Sequence, residues 1–152
     1  MGTQIQNDQI LQTIPRYIVK VARTISDQSM PTSWTAISWD TEIFDTVSGW
    51  SAGSPTIITT PAGFSYASVK VYVCWNNSDT GERLVVLKKN STVINIATMQ
   101  ASNESGNSID SGFISVSEND TFSVEVYPST AMNLNGDGWG GGSYLEVIFY
   151  TG

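Results

Sequence analysis

TIITTPAGFSYASVKVYVCW, residues 56–75, is the stretch that decides the fold of this chain. In residues 67–75, valine and tryptophan alternate with lysine, tyrosine and cysteine, and this period of two predicts a strand with one face in a core. Residues 56–60 predict a second, shorter strand. Pro61 cannot donate a ladder hydrogen bond and Gly63 weakens a strand, so the two residues predict a bend between the strands.

Segments of the same period recur on both sides of this stretch. The further predicted strands are 17–24, 34–40 (which 42–46 extends or pairs with), 82–89, 92–99, 111–117, 121–127 and 144–150. The predicted turns and loops between them are 26–33, 47–55, 76–81, 100–110 and 128–142. No run of helical period reaches the usual ten residues or so. The pattern predicts an all-β protein, a two-sheet antiparallel jelly-roll sandwich.

The alternation also predicts which side chains are buried. The residues expected between the two sheets are Val71, Val73, Val86, Phe122, Val124, Val147 and Phe149. Trp34, Trp39 and Trp75 lie on predicted strands and are expected in the core or at subunit contacts.

Length and charge limit the kind of protein this can be. A chain of 152 residues predicts one domain, with residues 1–15 as an N-terminal arm and 16–152 as the jelly roll. The net charge is −7 and the seven basic residues form no patch, so we expect no nucleic-acid partner. The apolar runs are only a few residues long and the first residues lack a signal-peptide pattern, so we expect no membrane association.

The composition also argues against catalysis. The chain has no histidine and one cysteine, Cys74, in the middle of a predicted strand. Histidine relays, Ser-His-Asp triads and Cys/His zinc sites are therefore excluded. The carboxylates nearest one another in sequence, Asp40, Glu42 and Asp45, are interpreted as solvated charges beside a strand. We expect no enzyme activity and no cofactor.

One motif resembles the opening of a calcium loop. Asn133, Asn135 and Asp137 place oxygen ligands at alternate positions before a glycine, but the twelfth position is Tyr144 and not a bidentate acid. The same residues also fit a turn in which asparagine and glycine adopt left-handed conformations. We expect no metal here. Asn133, Asn135 and Asp137 are the candidate ligands for the weaker alternative, a calcium site.

Two tryptophans lie in predicted loops. Trp139 stands among four glycines, and Trp50 lies in the 47–55 loop. An aromatic side chain on such a loop can stack on a sugar or fill a pocket of a partner protein. It can equally fold back over one end of the sandwich, and both interpretations stay open for both residues.

Six segments taken in order carry a family resemblance. They are WTAISWDTEIFDT (34–46), TPAGFSY (60–66), LKKN (87–90), the strand 113–116, the acidic turn and strand 118–126, and the aromatic strand 143–150. Together they resemble the jelly-roll family shared by complement globular heads and tumour-necrosis-factor-like proteins, over about residues 17 to 150. Two turns depart from the family pattern, with Asn90-Ser91 in place of Asn-Gly and Asn119-Asp120 in place of Gly-Asp.

This resemblance implies a homotrimer with both chain ends near one end of the molecule. The outward-facing residues expected at the trimer contacts are Tyr72, Tyr144, Ile148 and Tyr150. Residues 34–46 are most similar to the versions found in tailed-phage structural proteins and bacterial surface proteins.

We therefore expect a phage virion structural protein, a trimeric capsid decoration protein on the outer surface of the particle. The partner would be the major capsid protein or another virion protein, and the residues expected to anchor the arm to it are Ile5, Ile10, Leu11 and Ile14. The arm cannot by itself bury enough apolar surface to offset its ordering entropy. The alternative is a receptor- or glycan-binding knob of a phage tail fibre, or another surface-adhesion module, that binds a host-surface glycan through Trp50 and Trp139.

Overall fold

A computed structural model describes residues 17–75, 81–100, 106–134 and 142–152, and within these ranges the backbone forms twelve β-strands and no helix. The strands are β1 (Tyr17–Arg23), β2 (Gln28–Met30), β3 (Thr35–Ala36), β4 (Thr41–Asp45), β5 (Ile58–Thr59), β6 (Tyr66–Cys74), β7 (Arg83–Lys89), β8 (Thr92–Met99), β9 (Gly106–Ser115), β10 (Thr121–Pro128), β11 (Met132–Leu134) and β12 (Ser143–Tyr150). No helix among the described residues is long and apolar enough to cross a membrane.

Two antiparallel sheets make the sandwich. The first sheet has the order β4-β1-β12-β6-β9, and the second has the order β3-β10-β7-β8, with β5 also paired to β10. β2 and β11 form a separate two-stranded sheet. The chain passes from one large sheet to the other at most of its connections, so the two sheets are built together.

The core lies between the inner faces of the two sheets. In β12, Leu145, Val147 and Phe149 are buried while the residues between them are partly exposed. The register places Val147 beside Val19 of β1 and Val69 of β6, so three neighbouring strands contribute valines to one row. Each such side chain stabilises the fold by roughly 1.5–3 kcal/mol when fully buried.

The predicted burial is confirmed for all seven core candidates, but the predicted face of Val86 is wrong. Val86 is buried, yet it lies opposite Glu125 and Ile96 on the outer face of the second sheet. Val85 and Leu87 occupy the inner face instead. Four consecutive apolar residues in β7 hide the period of two, so the face could not be read from the sequence.

Two predicted loops each contain a short strand. β2 lies within the predicted turn 26–33 and β11 lies within the predicted loop 128–142. The two strands pair with each other across about one hundred residues of sequence, and both bury an apolar residue, Met30 and Leu134. Three-residue strands are too short to show a period, so the pairing alone defines them.

The predicted strand 34–40 is shorter than expected. Only β3 belongs to the second sheet, because the chain then crosses to the first. The Ile37 amide donates to the carbonyl of Val124 in β10, whereas the Asp40 amide donates to the carbonyl of Ala22 in β1. A segment that changes partner in three residues cannot continue a single ladder.

β9 begins at Gly106, whereas residues 100–110 were predicted to be a loop. Its polar first half pairs with β6 all the way to Cys74. Asn107 is buried there, and its side-chain oxygen accepts a 2.8 Å hydrogen bond from the indole nitrogen of Trp75. Asn107 and Ile109 are buried while Ser108 and Asp110 are exposed, so this half of β9 needs few apolar residues.

A hydrogen-bonded cluster ties the β7–β8 turn to the β9–β10 turn. The Asp120 carboxylate accepts hydrogen bonds from the Asn90 side chain at 2.6 Å and the Ser117 amide at 2.8 Å, and it pairs with Lys89 at 2.9 Å. These contacts, led by the Asn90 hydrogen bond, lower the pKa of Asp120 to about 2. Asn90 in turn accepts from the Thr121 amide at 2.8 Å.

Candidate interaction surface

The outer face of the first sheet carries all four residues predicted to contact another subunit. Tyr72, Tyr144, Ile148 and Tyr150 are partly exposed, and each alternates with buried residues of β6 or β12. The four side chains therefore point away from the core, and their role in subunit contacts stays a prediction. Their exposure leaves apolar surface that the monomer does not cover.

Tyr72 and Tyr144 form one aromatic group on this face. They are opposite each other in the β6–β12 pair, with ring centroids 5.9 Å apart. The Lys20 ammonium lies 4.3 Å from the centroid of the Tyr144 ring, a cation–π geometry. Burial, with smaller contributions from Cys74 and Tyr144, raises the pKa of Tyr72.

Gly106 is required for the position of the Tyr72 ring. A Cβ added at Gly106 would lie 2.4 Å from the Tyr72 hydroxyl oxygen and 2.6 Å from a ring carbon. The ring therefore lies flat across the backbone at the start of β9. A side chain at position 106 would have to displace it.

A second aromatic group lies toward the other end of the same face. Tyr150 is opposite Tyr66, and its ring centroid is 4.9 Å from that of Phe113. Phe113 is 71% exposed, and Ile148 lies in the same row, separated from Phe113 by Ser68. Burying such a ring in an interface is favourable, because aromatic side chains dominate interface energetics.

Charged side chains of alternating sign cross the sheet between the two aromatic groups. Lys20 pairs with Glu146 at 3.6 Å, and the register continues through Lys70 to Asp110. A surface that contacts a second copy of the chain gains orientation from such a row, because like charges brought together would be repelled.

The sequence did not single out Phe113 or Tyr66 for this surface. Phe113 lies where the β6–β9 register shifts, between Ser68 and Lys70, so its face does not follow from counting along the strand. The contact of its ring with Tyr150 depends on a pairing between distant segments. Only the assembled sheet brings the two together.

The Trp50 loop is held against the sandwich. The Asp45 carboxylate accepts hydrogen bonds from the amides of Gly49 at 3.0 Å and Trp50 at 2.9 Å. The Trp50 indole nitrogen donates to the carbonyl of Pro55 at 3.4 Å, and the side chain packs on the core. A ligand role for the half-buried Trp50 stays a prediction.

Several predicted site residues lie outside the described ranges. They are Trp139, the calcium candidates Asn135 and Asp137, and the arm residues Ile5, Ile10, Leu11 and Ile14. Asn133, the remaining calcium candidate, is exposed in β11 opposite Ser29. Among the described residues there is no group of three acidic, cysteine or histidine side chains that could hold a metal ion.

The other strand tryptophans differ from one another in exposure. Trp39 and Trp75 are buried in the core, as expected. Trp34 is 48% exposed on the outer face of the second sheet, away from the surface described above. It contacts Tyr127, with ring centroids 5.6 Å apart.

Solved structures share this architecture. The structure of murine APRIL at pH 5.0 superposes with a TM-score of 0.66 at 13% identity, covering 90% of this chain and all of that one. The globular domain of zebrafish complement 1qA gives a TM-score of 0.60 at 14% identity, covering 91% of this chain and all of that one. The chain is a jelly roll. The predicted fold class is thereby confirmed.

The likeness extends to the fold and no further, because the identities are low. No protein-family model matches the sequence. No curated protein matches it either. The function of this jelly roll therefore has to be argued from its own surface.

Proposed function

We propose that the protein is a non-catalytic structural protein that forms a homotrimer through the outer face of the first sheet. The observation that carries this proposal is the aromatic surface itself, above all Phe113, 71% exposed against the Tyr150 ring. Exposed apolar patches of this kind mark protein interfaces in soluble proteins. The trimer, as opposed to another symmetric oligomer, is what the family resemblance implies.

The charges on this face are compatible with its burial against a second copy of the chain. They do not indicate binding by charge attraction alone. Lys20 and Glu146 already neutralise each other within one subunit, so burial of the pair brings no unpaired charge into the interface. The aromatic groups on either side supply the apolar area. Together they resemble the anatomy of a stable interface, with aromatic anchors and few net charges at its centre.

A pair of matched substitutions tests the oligomer. Ile148→Lys places a charge at the centre of this face, whereas Ile96→Lys places the same charge on the outer face of the second sheet, where Ile96 is 54% exposed. Sedimentation velocity should give a trimer for the wild type and for Ile96→Lys, and a folded monomer for Ile148→Lys. A wild-type monomer at micromolar concentration would contradict the proposal.

We further propose that the trimer decorates the outer surface of a tailed-phage particle. This role is supported by the sequence resemblance of residues 34–46 and by the arm that precedes β1. The arm residues Ile5, Ile10, Leu11 and Ile14 would lie against the major capsid protein or another virion protein. Each ordered arm residue costs roughly 1–2 kcal/mol of backbone entropy, which a large partner surface can offset.

Replacing Ile10 and Leu11 together with serine tests the anchor. The double variant should keep the wild-type trimer in sedimentation velocity but fall off particles in a copurification assay. Wild-type occupancy of the variant on particles would overturn the anchoring role, and the receptor- or glycan-binding knob would then be the better account.

A further inference from the structure

Both edges of the first sheet carry exposed apolar side chains. At the β9 edge, Phe113 is 71% exposed. At the opposite edge, β4 exposes Phe44 to 55% and Ile43 to 42%. The register pairs Phe44 with Lys20, which forms an ion pair with Glu146 on the outer face. Phe44 therefore lies on the same outer face as Phe113, at the other end of the sheet.

A register shift in β4 explains why two neighbouring residues are exposed. Phe44 and Glu42 pair with consecutive residues of β1, so Ile43 between them is an extra residue without a partner in that strand. An extra residue of this kind bends the strand and increases its local twist. Such a bulge also hinders the addition of a further strand at a sheet edge. The β4 edge is therefore suited to contact through its side chains.

A closed trimer needs two different contact patches on each subunit. A two-fold axis brings a patch against its own copy, whereas a three-fold axis brings it against a different patch of the next subunit. β4 and β9 are the two edge strands of a five-stranded sheet, so they lie about 19 Å apart at a strand spacing of about 4.8 Å. Two neighbouring subunits can therefore contact the two edges at the same time.

The described chain ends indicate how the three-fold axis is oriented. Tyr17 lies opposite Phe149 at one end of the β1–β12 ladder. An axis along the strands places the three Tyr17 residues on the same side of the trimer, as anchoring to one particle surface requires. Rotation about such an axis keeps each row of residues across the sheet at its own height.

The charges at the two edges are complementary in this arrangement. The row that begins with Phe44 continues through Lys20 and ends with Asp110 at the β9 edge. Rotation brings the Asp110 carboxylate of one subunit to the end of this row that holds Phe44 and Lys20 in the next. Phe113 belongs to the neighbouring row, and diagonal neighbours in adjacent rows are within reach of aromatic side chains.

The two acidic residues of β4 do not oppose this pairing. Glu42 is opposite the core residue Val21, so it lies on the other side of the sheet from Phe44. The Asp45 carboxylate accepts hydrogen bonds from three amides of the loop that follows it. Lys20 is therefore the charged residue that the register places beside Phe44 on the outer face.

We propose that the β9 edge of each subunit, with Phe113 and Asp110, packs on the β4 edge of the next subunit, with Phe44 and Lys20. This inference rests on the proposed trimer and names the two surfaces that meet in it. Repeated three times, the contact closes a ring in which every subunit uses both edges. Each contact buries one exposed phenylalanine from each side, and aromatic anchors supply much of the binding energy of an interface.

Cysteine cross-linking tests the pairing. The variants are Phe44→Cys, Phe113→Cys and the two combined, each treated in its native state with a short bismaleimide. Phe113→Cys combined with Ile96→Cys is the matched control, because Ile96 is 54% exposed, as Phe44 nearly is, but lies on the second sheet. Cys74 is buried, and the treated wild type verifies that it does not react. Sedimentation velocity before treatment shows whether each variant is a trimer.

The combined Phe44→Cys and Phe113→Cys variant should give covalent dimers and trimers and nothing larger, because the ring is closed. The single variants and the Ile96→Cys control should remain monomers on a denaturing gel. Covalent dimers of a single variant, species larger than a trimer, equal yield in the control, or no cross-link in a trimeric combined variant would each overturn the pairing and leave the trimer standing. A wild type that sediments as a monomer would overturn the trimer itself and the pairing with it.

Discussion

At the scale of single residues, Phe113 and Phe122 show that one residue type takes opposite roles on consecutive strands. Phe122 is 0% exposed in the core, whereas Phe113 is 71% exposed beside Tyr150. The first role was predictable because residues 121–127 alternate cleanly. The second was not, because the register shift near Phe113 and its contact with Tyr150 both depend on distant segments.

Truncating the two phenylalanines should therefore have different consequences. Phe122→Ala should lower the free energy of unfolding by about 3–5 kcal/mol, through lost burial and the cavity left behind. Phe113→Ala should change it by less than about 1 kcal/mol in the separated subunit. Urea denaturation in the Ile148→Lys background measures both without a contribution from association. Equal losses would show that the faces are wrongly assigned.

The Asp120 carboxylate should make stability depend on pH. The folded-state pKa is about 2, below the usual value, so the charged form is stabilised by folding. That stability is present above about pH 4 and is lost as the pH falls toward 2, because the unfolded chain takes up the proton first. Asp120→Asn should remove this part of the dependence in urea denaturation between pH 5 and 2.

Glu118→Gln is the control for Asp120→Asn, since Glu118 is an exposed acid in the same turn. It should leave the pH dependence near that of the wild type. If both variants flatten the curve equally, net charge and not the Asn90–Asp120 cluster is responsible.

At the scale of elements, the sequence predicts strands that have a clear period and misses those defined by their partners. β6, β10 and β12 were predictable within about two residues, because their faces alternate. β2 and β11 were not, since each is three residues long and exists only as half of a long-range pair. β3 ends early because the chain crosses from the second sheet to the first.

The β7–β8 turn provides an element-scale prediction. Asn90 and Ser91 both have positive φ, 50° and 68°, a conformation that suits asparagine and glycine better than serine. Ser91→Gly should raise the free energy of unfolding by about 0.5 kcal/mol. Glycine removes the strain of the left-handed conformation, and this gain is larger than the backbone entropy that glycine loses on folding. Asn90→Gly should instead lower it by about 1–2 kcal/mol, because two side-chain hydrogen bonds are lost.

Chemical denaturation of the two single variants tests this prediction, because the expected changes in the free energy of unfolding have opposite signs. A loss of stability in Ser91→Gly as large as that in Asn90→Gly would mean that backbone entropy, and not the left-handed conformation, dominates at this turn.

At the scale of the whole molecule, a jelly roll could be predicted but the position of Trp34 on it could not. The alternation in β6 and β12 placed Tyr72, Tyr144, Ile148 and Tyr150 on an outer face. Trp34 was expected in the core or at a subunit contact, and its 48% exposure excludes the core, while the subunit contact stays a prediction. Trp34 lies directly before β3 and contacts Tyr127 on the outer face of the second sheet.

Self-association should make thermal stability depend on concentration. If the folded subunits bind one another, the midpoint of unfolding rises with protein concentration by mass action. Differential scanning calorimetry over a hundredfold range should show this rise for the wild type and a constant midpoint for Ile148→Lys. A constant midpoint for both proteins would show that the aromatic face does not bind a second copy of the chain.

The pairing of β1 with β12 also has a consequence for how this domain can be joined to others. Tyr17 lies opposite Phe149, so the two described ends of the chain emerge side by side at one pole of the sandwich. Because these two ends lie close together, the position at which the chain is open affects its connectivity and not the packing of the sandwich. A segment attached at one end therefore becomes a neighbour of a segment attached at the other.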